Sequence, residues 1–203
     1  MPAGTYKVFD GSGRELGTEE FRTAPGIAGS RYFSTVRTSD PVPHEEVVDL
    51  SVDSEWRPVR VRIETGEHHL ILQRSGSGLA GARDGDEMQL GPVADFDYFS
   101  PAFNAATANR LAAEGLSQAD LDVTWIEPFT LEVRTVKQRY ERADDGVAET
   151  PVGRFEATRW RYTSLDSGWS GDIWVAGSIV VSYPGLFELS AYDPIGAGPF
   201  PLS

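Results

Sequence analysis

Apolar and polar residues alternate along most of this chain with a period of two, and one alanine-rich stretch beginning at Pro101 breaks the alternation. A period of two places every second side chain on one face of a strand, so a chain dominated by it must fold as half-buried sheet. Val59, Val61 and Ile63 alternate with Arg60, Arg62 and Glu64, and Phe129, Leu131 and Val133 alternate with Thr130, Glu132 and Arg134. Val47–Val52 and His69–Leu72 read as shorter strands. Ile179-Val180-Val181 is apolar throughout, the pattern of a strand covered on both faces. Phe155 and Ala157 fall on one parity and Trp160 and Tyr162 on the other, which predicts a bulge. The pairs Asp10-Gly11, Asp84-Gly85 and Asp145-Gly146 are expected at hairpin turns, since both residue types tolerate positive φ.

The interruption reads as a helix. Ser100 stands at the N-cap, Pro101 at the first helical position, and Gly115 closes an alanine-rich run that includes Phe103 and Leu111. A turn is expected over Ser117–Asp120, and a loose tail from Gly196. The expected fold class is mainly β, an antiparallel sheet with one short α-helix near 101–114. At 203 residues the chain suits one domain over 1–203, and a domain of this size buries roughly 70% of its unfolded surface. It holds no cysteine, so disulfides, thiolate metal sites and Cys nucleophiles are all excluded. The formal net charge of −13 repels phosphate backbones and anionic bilayers, so neither nucleic acid nor membrane insertion is expected. The N-terminus carries no basic or apolar leader and begins with Met1, which makes cytoplasm the expected location.

Several motifs suggest chemistry. Gly76-Ser77-Gly78-Leu79-Ala80-Gly81 has the spacing of a dinucleotide loop, but Ala82-Arg83-Asp84-Gly85 follows where a helix would be required, so a hairpin is expected. Asp95 and Asp97, two residues apart on a strand, share a face. They can grip a cation or share a proton, or one can pair with an arginine or cap the helix. His68 and His69 are adjacent and point to opposite faces, so no metal and no cofactor is expected. No G-x-S-x-G elbow is present, and no catalytic residue is assigned. The five tryptophans serve a core or line a cavity.

Three ordered blocks carry a resemblance. They are Asp95-Phe96-Asp97-Tyr98-Phe99-Ser100-Pro101-Ala102-Phe103-Asn104 leading to Arg110-Leu111, then Val123–Pro128 continuing to Gln138–Arg142, then Ile179–Phe187. From about Val47 to Phe187 the chain resembles the putative glycolipid-binding protein family of small bacterial proteins. The first 45 residues match it only loosely, and the stretch from Leu165 to Asp172 replaces a tighter hairpin. The resemblance implies a curled antiparallel sheet, a spiral β-roll or open half-barrel similar in shape to bacterial lipoprotein carriers. It also implies an apolar or glycolipid-like ligand in the concave face.

An incompletely closed sheet must cover its inner face, and the helix is the obvious plug, anchored by Phe103 and Leu111. Asp95, Asp97, Phe103, Asn104, Arg110, Trp125, Gln138, Tyr140 and Tyr183 are the candidate ligand-binding residues. Arg110 can instead pair with Asp95 or Asp97 and pin the helix. Three functions stand side by side: non-catalytic ligand binding, a hydrolase-type enzyme using Asp95 or Asp97, and a scaffold or homodimerising module without a small ligand.

Overall fold

The computed structural model describes residues 1–40, 42–76, 78–92 and 95–195. The tail expected from Gly196 lies outside them. Eight strands follow one another as a meander: β1 (Ala3–Phe9), β2 (Glu15–Gly26), β3 (Gly29–Thr38), β4 (His44–Asp53), β5 (Pro58–Glu64), β6 (His69–Ser75), β7 (Gly78–Arg83) and β8 (Asp86–Leu90). After the short β9 (Asp95–Asp97) and the helix α1 (Pro101–Ala113), a second meander runs β10 (Gln118–Ile126), β11 (Val133–Thr150), β12 (Gly153–Ser164), β13 (Ser170–Ala176), β14 (Ile179–Tyr183) and β15 (Phe187–Asp193). β15 pairs with β1, joining both meanders into one 15-stranded sheet ordered from β8 through β1 and β15 to β9. The sheet is curled and open, as expected, with β8 and β9 at its unpaired ends.

Among the described residues every strand pair is antiparallel but one. β9 lies parallel to β10, and parallel neighbours require a crossover rather than a hairpin. That crossover is α1. The helix that looks like an interruption in sequence is therefore the link that the one parallel pair demands, and it lies inside the roll. Its Phe103 and Ala106 join a core with Leu50, Ile63, Leu72, Phe96 and Tyr98, while Ala105, Ala108 and Leu111 join a second core with Val123, Trp160, Ile173 and Val180. Phe103 and Leu111 are both fully buried, so each contributes about 1.5–3 kcal/mol of burial. The helix ends in a Schellman turn: Leu116 N–H donates to the Leu111 carbonyl, Gly115 N–H to that of Ala112, and Gly115 has φ 71°.

Alternation places Val61 and Ile63 on the inner face as read, beside Leu70, Leu72, Val48, Leu50 and Val52, but Val59, read on that same face, is 42% exposed because the β4–β5 register shifts between Ser51 and Val52 and buries Pro58 instead. Asp84-Gly85 is the two-residue turn between β7 and β8, with φ of 54° and 92°, the pattern of a type I′ hairpin. The glycine-rich run begins at the β6–β7 turn and continues as β7, with Ser77 outside the described residues.

Four further expectations need correction. Phe129–Arg134 is not a strand: Pro128–Thr130 turns the chain, Phe129 and Leu131 take φ of 66° and 54°, and β11 starts at Val133. Proline removes a ladder donor there, and the buried Leu131 side chain seals the core below. Asp145-Gly146 lies within β11 rather than at a turn, because the hairpin closes at Pro151-Val152. The bulge predicted on β12 sits on β11, between Arg142 and Asp144. Past it the β11–β12 hairpin reaches back over β14 and β15, where Phe155 packs edge-on against Tyr192 at 5.4 Å. This explains both the parity switch and the two-sided burial of Ile179–Val181. Finally, Gln118–Asp120 opens β10 instead of forming a turn. No helix among the described residues is long and apolar enough to cross a membrane.

Candidate functional site

The side chains singled out around the helix form a buried polar seam between α1 and the sheet. Arg110 grips Asp95 with two nitrogens: Nε donates to both carboxylate oxygens at 3.1 and 3.2 Å, and Nη2 to Oδ2 at 2.7 Å. Its Nη1 donates to Glu114 at 2.8 Å. The pinning role thus describes this pair. Asp97 accepts from Gln138 Nε2 and, at 2.9 Å, from the Tyr98 N–H. Asn104 Nδ2 donates to the Tyr140 hydroxyl at 2.9 Å. Burial pushes the Asp97 carboxyl up to about 7, against the pull of Gln138 and the Tyr98 amide, with the Asp95 charge adding to the rise. Burial likewise raises Asp95, although Arg110 draws it back.

Aromatic rings continue the seam towards the surface. Tyr140 packs on Tyr162 at 5.4 Å, Tyr162 on Trp169 at 5.7 Å, and Trp169 on Tyr183 at 6.0 Å. Trp169 belongs to the Leu165–Trp169 connection between β12 and β13. Its indole lies where a Cβ on Gly171 would come within 2.8 Å, so the absent side chain makes room for the ring. Of the candidates, Asp95, Asp97, Asn104, Arg110, Gln138 and Tyr140 therefore meet on one seam, and Tyr183 lies at its aromatic end. Phe103 points into the other core against Tyr98, at 5.8 Å. Trp125 stands apart, half-buried, with Nε1 donating to Glu127 at 2.9 Å.

A second polar centre, which reasoning from sequence missed, lies at the N-terminal end of the helix. Ser100 is the N-cap by position, but its hydroxyl makes no capping bond. It donates instead to Glu19 Oε1, at 2.6 Å. Tyr98 donates to Glu46, which also contacts His44 Nε2 at 2.8 Å. Glu19 is 1% exposed and burial pushes its carboxyl up to about 7, while the hydroxyls of Ser100 and Ser34 pull it down and the Glu46 charge pushes it up. The signal was present in the parity of β2: Glu19, Phe21 and Thr23 share the inner face, so an acid stands where alternation calls for an apolar residue.

Beside this centre the packing of the roll is incomplete. A narrow crevice, with room for a water-sized sphere over only about 10 Å³, lies between Phe21, Val48, Ile179 and Val180. Tyr6, Tyr32, Thr23 and Ser34 complete its walls, and the half-buried Phe33, Ala102 and Ser178 stand at its rim. Two buried polar atoms of its lining, Glu19 Oε2 and Tyr32 Oη, make no hydrogen bond of good geometry, although the Ser34 hydroxyl lies near enough to Glu19 to lower its carboxyl. Neither Asp95 nor Asp97 lines this crevice. Among the described residues, no cluster of three or more His, Cys, Asp or Glu side chains could hold a metal ion.

Comparison with known proteins gives three results. The profile of the family described as putative glycolipid-binding matches residues 12–188, so the likeness begins well before Val47 and takes in β2 and β3. A DUF1089-family protein from Pseudomonas aeruginosa superposes with TM-score 0.62 at 22% identity, over 84% of this chain and 91% of its own. A β-barrel-like protein of domain of unknown function DUF1849 from Brucella abortus superposes with TM-score 0.56 at 11% identity, over 95% and 96%. Among curated proteins, the tRNA-specific 2-thiouridylases MnmA of Pectobacterium carotovorum and Pectobacterium atrosepticum are each 32% identical over 150 residues, 68% of this chain. The matched stretch spans only 38% of the length of those two enzymes.

Proposed function

This chain belongs to the putative glycolipid-binding family, and from that premise we propose that it binds an apolar or glycolipid-like ligand without catalysing its conversion. The observation that carries the reading is the crevice beside the helix N-terminus. Its walls are aromatic and aliphatic with a few polar groups among them, the kind of lining a small-ligand pocket has, and they must part to admit a ligand. The roll is otherwise filled, by α1 and its two cores. A ligand's chain would enter past Phe33 and Ser178 and lie between β2, β3 and β14. In this reading the Asp95–Arg110 and Asp97–Gln138 contacts hold the helix that forms one wall, and Tyr183 and Trp169 guard the far end of the same face.

Chemistry at Asp95 or Asp97 is not part of the proposal. Asp95 spends both oxygens on Arg110, and Asp97 is held by Gln138 and the Tyr98 amide. A role on tRNA, which the thiouridylase likeness would suggest, runs against the net charge of −13, because phosphate recognition needs basic surface.

The test is native mass spectrometry with solvent extraction of the purified protein, before and after incubation with a single-chain alkyl glucoside. A retained amphiphile at one per chain supports the proposal. A chain that carries and accepts none overturns it.

A further inference from the structure

We infer that the aromatic end of the seam is a second site, closed by Trp169, that takes a short primary alkylammonium ion between the Asp97 carboxylate and the hydroxyls of Tyr162 and Tyr183. None of these residues lines the crevice, so the inference does not rest on the binding reading above. The two aspartates of β9 differ in their partners. Asp95 has its cation in Arg110, whereas among the described residues no cationic group contacts Asp97, which is 5% exposed. Gln138 and the Tyr98 amide use two of its acceptor positions, and a carboxylate has about four. A buried carboxylate without a counter-ion gains free energy when a ligand brings one.

Tyrosine rings lead from Asp97 to the surface. Gln138 and Tyr140 share a face of β11, Tyr140 stands opposite Tyr162 on β12, and Tyr162 stands opposite Gly171 on β13. Tyr162 and Tyr183 are 8% and 3% exposed, and among the described residues neither hydroxyl has a hydrogen-bond partner in the protein. Burial raises these two hydroxyls and that of Tyr140, and the Asp97 charge adds to the rise at all three, so all three lie within reach of its field. Trp169 covers them and is itself 41% exposed. The backbone beneath it is held by Ser164 N–H, which donates to the Trp169 carbonyl, and by Leu165 N–H, which donates to that of Lys137, both at 2.9 Å. The indole can therefore swing out while the loop stays in place.

One carboxylate oxygen and two hydroxyl oxygens match the three N–H donors of a primary ammonium, and the rings add cation–π attraction. An alcohol brings one donor and no charge. An anion meets Asp97 inside and Asp166 at the mouth, whose charge reaches Tyr162. Lys137, beside the loop, is held by Asp122 at 2.9 Å. The opening left by the indole is no larger than the indole, so the alkyl chain is short.

The test is calorimetric titration of the whole chain with n-butylammonium and with butan-1-ol, its neutral counterpart, at pH 6 and pH 8. Butylammonium is expected to bind at least tenfold more tightly than the alcohol at pH 8. Its affinity should rise about tenfold from pH 6 to pH 8, because the bound form needs Asp97 ionised and burial pushes that carboxyl up to about 7. The other groups facing Asp97 are Asp95, paired with Arg110, Gln138, which does not titrate, and three tyrosines raised above 10. Asp97→Asn keeps the neutral form that burial favours, so it is expected to fold, to bind butylammonium at least tenfold more weakly at pH 8, and to lose the pH dependence. Binding should also shift tryptophan emission to the red as the indole leaves, and Trp169→Phe should abolish that shift. Dihexanoyl phosphatidylethanolamine below its micelle concentration carries the same ammonium on a lipid: tighter binding than butylammonium identifies the lipid head as the source, and weaker binding the free amine. Equal affinity for amine and alcohol, an Asp97→Asn variant that binds like the parent, or binding without a change in emission overturns the inference. So does the absence of any binding, and each of these results leaves the crevice to its own test.

Discussion

Replacing Arg110 with methionine is the sharpest probe of what holds the helix inside the roll. The side chain is 8% exposed and its partner Asp95 is fully buried, so the carboxylate has no solvent to fall back on. Three charge-assisted hydrogen bonds, at 3.1, 3.2 and 2.7 Å, vanish together. Removing one member of a buried pair typically costs about 3–5 kcal/mol, because the other is left charged and unpaired. For a chain of this length each kcal/mol lowers the melting temperature by roughly 2–4 °C, so Arg110→Met should lower it by about 6–20 °C. The deficit should shrink below neutral pH. Without arginine, burial alone governs Asp95, its pKa climbs further above 3.8, and the stability tied to its protonated form returns as pH falls. Adding Asp95→Leu should recover most of the loss, since an apolar pair of similar volume replaces a desolvated ionic one. Urea denaturation of the four-member cycle measures the coupling directly. A single-variant cost below about 1 kcal/mol, the value for a surface ion pair, would refute the reasoning. So would a double variant as unstable as the sum of its parts.

Three further predictions concern the same interior. Glu19 and Asp97 both have folded-state carboxyls near 7, above ordinary values of 4.5 and 3.8, so they favour folding most when protonated. Their contribution is complete below about pH 4 and is lost as pH rises through 7, by up to about 3 kcal/mol for Glu19 and about 4 kcal/mol for Asp97. Glu19→Gln should therefore melt higher than the parent at pH 8 and close to it at pH 5 in a pH series of thermal scans; an unchanged slope with pH would contradict this. Gly81→Ala places a Cβ 1.9 Å from the Ile71 carbonyl oxygen and should cost about 3 kcal/mol, whereas Gly66→Ala, with nothing within 4 Å, should be neutral or slightly stabilising in the same denaturation assay. Gly171→Ala meets the far end of the Trp169 ring at 2.8 Å, so it should cost only about 1 kcal/mol while shifting tryptophan emission to the red. The shift should be absent from a Trp169→Phe background.

Much of the sheet was legible because alternation reports burial directly. The inner residues of β4, β5 and β6 follow from their parity, and the helix follows from Ser100-Pro101 at one end and Gly115 at the other. What stayed hidden depends on long-range pairing. β9 is three residues long and joins the sheet only because β10 arrives parallel to it after the helix, which no local pattern encodes. Phe129 and Leu131 keep strand parity yet occupy positive φ, since Pro128 turns the chain and the core accepts Leu131 from above. Asp145-Gly146 reads as a turn, but the neighbouring bulge on β11 absorbs it. The polar seam around the helix was visible as residue types, and Arg110 with Asp95 as one of two pairings. Glu19 and Tyr32 went unread because their strands lie in the first 45 residues, where alternation is broken by the very polar residues that line the crevice.

The central claim is that one crevice beside the helix N-terminus takes the ligand in an otherwise filled roll. A crystal structure of the chain grown with n-octyl β-D-glucoside tests it most directly. The account predicts an octyl chain between β2, β3 and β14, with Phe33 and Ser178 moved apart to admit it. A crevice holding only water, with the glucoside elsewhere or absent at saturating concentration, would contradict it.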